Sequence, residues 1–62
     1  MEHAIFIENG TLEDHGELVA TFQKGDKVFV IGEFYGLIKV LILEGSAANY
    51  TANVDPTILE YV

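Results

Sequence analysis

The chain has 62 residues, half of them apolar, and its 10 acidic against 3 basic side chains give a formal charge of −7. That is one small domain spanning 1–62, with no room for a linker or a second core. Three lysines and no arginine cannot neutralise a phosphate backbone or hold an anionic membrane surface, so neither nucleic acid nor membrane is an expected partner.

In chain order, Asn-Gly, single glycines and the one proline separate short apolar stretches, the spacing of an all-β barrel or sandwich. Strands are predicted near 3–8, 17–22, 27–32, 37–43, 50–54 and 59–62. Asn9-Gly10 and Lys24-Gly25-Asp26 are read as turns, because glycine reaches the positive-φ conformations that tight turns require. Glu8 to Glu17 is read as an acidic loop, and Glu33 to Gly36 and Glu44 to Asn49 as two further loops. Asp55-Pro56-Thr57 supports a short turn or one turn of 3₁₀ helix before the last strand. No eleven-residue window keeps a clean helical period, since β-branched and aromatic residues crowd the apolar runs.

Several of these pieces stand in a known order. Ala4-Ile5-Phe6 is followed by the acidic stretch, by Ala20-Thr21-Phe22-Gln23-Lys24-Gly25-Asp26 and by Lys27-Val28-Phe29-Val30-Ile31. Leu37-Ile38-Lys39-Val40 and a closing segment from Val54 to Val62 complete the series. This resembles the Src-homology-3 (SH3) plan over nearly the whole chain, the Phe-x-x-Gly-Asp turn before alternating apolar residues being its most specific part. The resemblance implies an all-β fold, a small SH3-like barrel of five to six short antiparallel strands with a 3₁₀ turn before the last. It does not carry over the family's recognition of proline-rich peptides. Phe6, Glu8, Leu37, Asp55 and Ile58 stand where that groove has its aromatic residues and proline.

A barrel strand alternates apolar inside with polar outside, and two strands here depart from that rule. In 27–31, Val28 and Val30 are assigned to the core, which leaves Phe29 and Ile31 outside with Lys27. In 37–43, Ile38, Val40 and Ile42 are assigned to the core, which leaves Leu37, Leu41 and Leu43 outside with Lys39. As antiparallel neighbours these strands would pool Phe29, Ile31, Leu37, Leu41 and Leu43 into one patch. Its size is at or above what soluble monomers usually expose. A bulge in one strand, or loops folded over this face, would remove the patch. The other candidate feature is charge: Glu2, Glu8, Glu13, Asp14 and Glu17 all precede the first lysine. Such a stretch keeps a small apolar protein soluble, or steers a basic partner.

Other chemistry is thin. The chain has no cysteine, hence no disulfide, thiolate ligand or thiol nucleophile. No basic start leads an apolar run, and none approaches the length of a membrane span, so a cytoplasmic protein is expected. His3 and His15, the latter beside Glu13 and Asp14, lack recognised ligand spacing, and no metal is assigned. Ser46 has no histidine nearby in sequence, Gly32 and Gly36 precede no helix, and a filled barrel of this size offers little pocket, so no catalytic residue or cofactor is expected. Starting at methionine and stopping where the barrel closes, the sequence reads as a free-standing protein.

The expected function is non-enzymatic protein binding. Phe29, Ile31, Leu37, Leu41 and Leu43 would form the desolvated centre, and Glu13, Asp14 and Glu17 would supply charge complementarity. By analogy this could be an adaptor or a small inhibitor, such as a phage-encoded protein acting on a host enzyme. The rival readings are a structural homo-oligomer, which buries the patch against itself, and a nucleic-acid mimic or small-ligand sequestering protein working through its carboxylates or an intersubunit pocket.

Overall fold

A computed structural model describes residues 2–62. They form seven strands: β1 (Glu2–Phe6), β2 (Gly10–Asp14), β3 (Glu17–Phe22), β4 (Lys27–Phe34), β5 (Leu37–Ile42), β6 (Thr51–Val54) and β7 (Leu59–Tyr61). A single 3₁₀ turn, Pro56–Ile58, precedes the last strand. The main sheet has five strands in the order β6-β5-β4-β1-β7, and β2 and β3 form a second sheet of two. All pairings are antiparallel. Among the described residues no helix is long and apolar enough to cross a membrane.

The all-β expectation and the 3₁₀ turn hold, and three local expectations are corrected. The acidic stretch is a hairpin, its arms β2 and the start of β3 joined at His15-Gly16. Likewise β4 runs through the residues read as a loop, as far as Phe34, and turns back at Tyr35-Gly36. Both turns have two central residues at positive φ, 53° and 82° in His15-Gly16 and 53° and 80° in Tyr35-Gly36. That is the type I′ geometry, whose twist matches that of the flanking strands. Third, Asn9-Gly10 is not such a turn: neither residue has positive φ among the described residues, and Gly10 opens β2 opposite Phe22.

The core follows period-two alternation. Ala4 and Phe6 of β1, Val28 of β4, Ile38, Val40 and Ile42 of β5, Val54 of β6 and Leu59 of β7 are all buried. Phe22 packs in from β3, its ring stacked on Phe6 at a centroid distance of 3.8 Å. Leu12 and Ala20 bring the small sheet onto the same core. Ala47 is fully buried although it lies in the β5–β6 connection, which is folded by bonds from Asn49 N–H to Ile42 C=O (2.7 Å) and from Tyr50 N–H to Ala47 C=O (3.1 Å). Asp55 caps the 3₁₀ turn, accepting from the Thr57 N–H at 2.9 Å and the Thr57 hydroxyl at 2.8 Å. Those bonds, the backbone one foremost, hold its carboxyl below the ordinary value of 3.8.

Candidate functional site

The β4–β5 pair carries most of the residues singled out in the sequence. Phe29 and Leu41 are directly opposed and both are half-buried. His3 opposes Phe29 on its other side, its ring edge-on at 5.5 Å, and Thr51 opposes Leu41. Leu43, 44% exposed, continues this outer face one row away, where its N–H donates to the Lys27 carbonyl at 2.9 Å.

A bulge then interrupts the ladder. Val30 opposes Val40, but the next pair is Gly32 with Lys39, which leaves Ile31 without a partner. Beyond the bulge the faces of β4 are exchanged. Phe34, rather than Ile31, joins the outer row and opposes Leu37. The five named residues are therefore divided: Phe29, Leu41 and Leu43 share a face over the core, whereas Ile31 and Leu37 belong to the end of the hairpin.

That end overhangs the rest of the sheet. The last pair between β4 and β1 is Val30 with Glu2, and the last pair between β5 and β6 is Ile38 with Val54. Among the described residues, 31–37 is thus flanked by no other strand. Phe34 is 58% and Tyr35 92% exposed, with ring centroids 4.5 Å apart in an edge-to-face contact. Ile31 and Leu37 are exposed beside them. Sequence reasoning missed Phe34 and Tyr35 because 33–36 was read as loop. The residue-Gly pair between apolar neighbours, Phe34-Tyr35-Gly36-Leu37, was the signal for a hairpin with an apolar tip.

Glu13, Asp14 and Glu17 lie on the β2–β3 hairpin and are exposed. Asp14 and Glu17 oppose each other across the type I′ turn, where like charges repel. The imidazole of His15 approaches Asp14 at 3.5 Å, both side chains largely in solvent, so the pair contributes little. Glu13 and Asp14, but not Glu17, line a cleft of about 580 Å³ between this hairpin and the edge of the main sheet. Its opposite wall is Lys39 and the stretch from Tyr50 to Asn53, none of which was anticipated apart from Lys39 as an outward residue. Among the described residues no group of histidine and carboxylate side chains gathers closely enough to hold a metal ion.

No family model, curated protein or solved structure matches the chain.

Proposed function

We propose that the chain is an SH3-like small barrel acting as a non-enzymatic protein-binding module, with the overhanging end of the β4–β5 hairpin as its contact surface. The barrel reading is supported by a hairpin excursion between the first strand and β4, and by the 3₁₀ turn before the closing strand. The binding reading rests on one observation: Ile31, Phe34, Tyr35 and Leu37 are exposed together on a segment that supports no part of the core. Aromatic side chains such as Phe34 and Tyr35 bury large areas and dominate contact energies. A hairpin held by its β4–β5 ladder gives them a fixed geometry at little entropic cost. The net charge of −7 favours a partner with a basic rim around an apolar pocket, since opposite potentials speed encounter.

The test is site-specific photo-cross-linking from position 35 in cells of the source, with Phe34→Ser and Leu37→Ser as controls and the solution mass measured alongside. The reading expects a monomer that cross-links to one protein, with both variants folding normally and losing the adduct. A homodimer dissociated by the same substitutions, or an adduct indifferent to them, would overturn it.

A further inference from the structure

We propose that the free edge of β6 is a second binding site, which takes an extended basic segment of a partner polypeptide as an added strand. Among the described residues β6 ends the sheet order and pairs only with β5. Ile42 N–H donates to the Tyr50 carbonyl at 2.9 Å. Backbone bonding alternates along an antiparallel strand, so Ala52 and Val54 continue toward β5. Thr51 and Asn53 therefore turn their N–H and C=O groups away from β5, and both residues line the cleft.

Exposed edges are normally blunted by proline, lysine or a bulge. Thr51-Ala52-Asn53-Val54 contains neither residue, and its register with β5 is unbroken. In place of such protection stands a cleft of about 580 Å³, within the range of roughly 300–1,000 Å³ typical of ligand sites. A four-residue segment, about 13 Å long at ~3.3 Å per residue, matches the length of β6. Charge sets the occupant's chemistry. Glu13 and Asp14 stand on the hairpin wall, and among the described residues Lys39 is the one cation lining the cleft, so side chains directed at the hairpin are lysine or arginine. Main-chain bonds to Thr51 and Asn53 supply affinity, and the carboxylates supply selection, the division of labour usual in strand addition. This site is separate from the hairpin overhang, and either can fail without the other.

The probe is the capped peptide acetyl-Lys-Val-Lys-Val-amide, titrated into the isotopically labelled protein and followed by amide NMR. The Thr51 and Asn53 amides should shift, saturate and exchange more slowly with solvent. Alternate N-methylation of the peptide should abolish this. Replacing its lysines by glutamate should weaken binding about tenfold, the scale of one or two lost charge contacts. Salt raised from about 0.01 to 1 M, which shortens the screening length from roughly 30 to 3 Å, should weaken it too. Asn53→Pro removes an N–H that β5 does not use and should eliminate binding. Glu13→Gln with Asp14→Asn, which leaves β6 untouched, should reduce it severalfold. Equal binding of the N-methylated peptide, shifts confined to Phe34 and Tyr35, or no saturable shift would overturn the proposal. So would a dimer formed through β6 in the absence of peptide.

Discussion

The ring of Phe22 lies over the α-carbon of Gly10, so that a methyl group there would come within 2.8 Å of both Cε atoms of the ring. The ring is also stacked on fully buried Phe6 at a centroid distance of 3.8 Å, which limits how far it can shift. Gly10→Ala should therefore destabilise the fold by about 1–3 kcal/mol, the usual cost of overpacking. In a domain of this size that is a fall in Tm of roughly 4–8 °C per kcal/mol. Thermal and urea unfolding followed by circular dichroism measure it, and an unchanged midpoint would show that the ring can move aside.

Tyr35 holds φ at 53° while leaving 92% of its surface in solvent, so the fold gains little from the side chain and bears the strain of its backbone. A left-handed conformation costs an L-residue about 1–2 kcal/mol, a penalty that asparagine largely avoids. Tyr35→Asn should raise stability by about 1 kcal/mol, part of that penalty, and lower affinity for the hairpin's partner at least tenfold, the scale of a contact hot spot. The urea midpoint reads the first effect and the cross-linking yield the second. A residue that only shaped the turn would improve stability and leave binding intact.

How much of this was legible in the sequence depended on whether a single period governed the residues concerned. Ile38, Val40 and Ile42 alternate without interruption, and Asp55-Pro56-Thr57 has its capping chemistry within three residues; both were read correctly. β2 was missed because Thr11-Leu12-Glu13-Asp14 has one apolar side chain, and its extended form is imposed by pairing with β3. Asn9-Gly10 misled because glycine serves two needs. Here it provides the missing Cβ beneath Phe22 and not a positive φ. The outer patch was half visible: alternation placed Phe29 and Leu41 together, but the extra residue at Ile31 exchanged the faces of β4. In Val30-Ile31-Gly32 only the glycine hints at a bulge.

The Asp55 carboxyl should titrate below 3.8, because the Thr57 N–H and then the Thr57 hydroxyl favour its charged form. A depressed folded-state value means that the cap's contribution is complete above the unfolded value and is lost as pH falls through the folded one. Asp55→Asn should thus differ in stability from the parent chain at neutral pH, and the difference should close in acid below 3.8. Thr57→Val removes the hydroxyl bond but retains the backbone bond, so the carboxyl should move only part of the way back. Carboxyl NMR titration and unfolding measured across pH check both outcomes.

Ile42 and Leu43 are neighbours in sequence on opposite sides of the sheet, the first fully buried and the second 44% exposed. Ile42→Val deletes one methyl group from the core and should cost about 0.5–1.5 kcal/mol. Leu43→Val removes as much carbon from a partly solvated position and should stay within about 0.5 kcal/mol. The outer face can be separated from the core in the same way. Phe29 and Leu41 are opposed and half-buried, so a double-mutant cycle to alanine should return a coupling of about 0.2–1 kcal/mol, the range of cross-strand pairs. Zero coupling would mean that the two side chains lean toward other neighbours, His3 for Phe29 and Thr51 for Leu41, and that this face does not act as one surface. Equal losses for Ile42→Val and Leu43→Val would reach further, because a bound partner or second copy would then have to bury Leu43 as fully as the core buries Ile42.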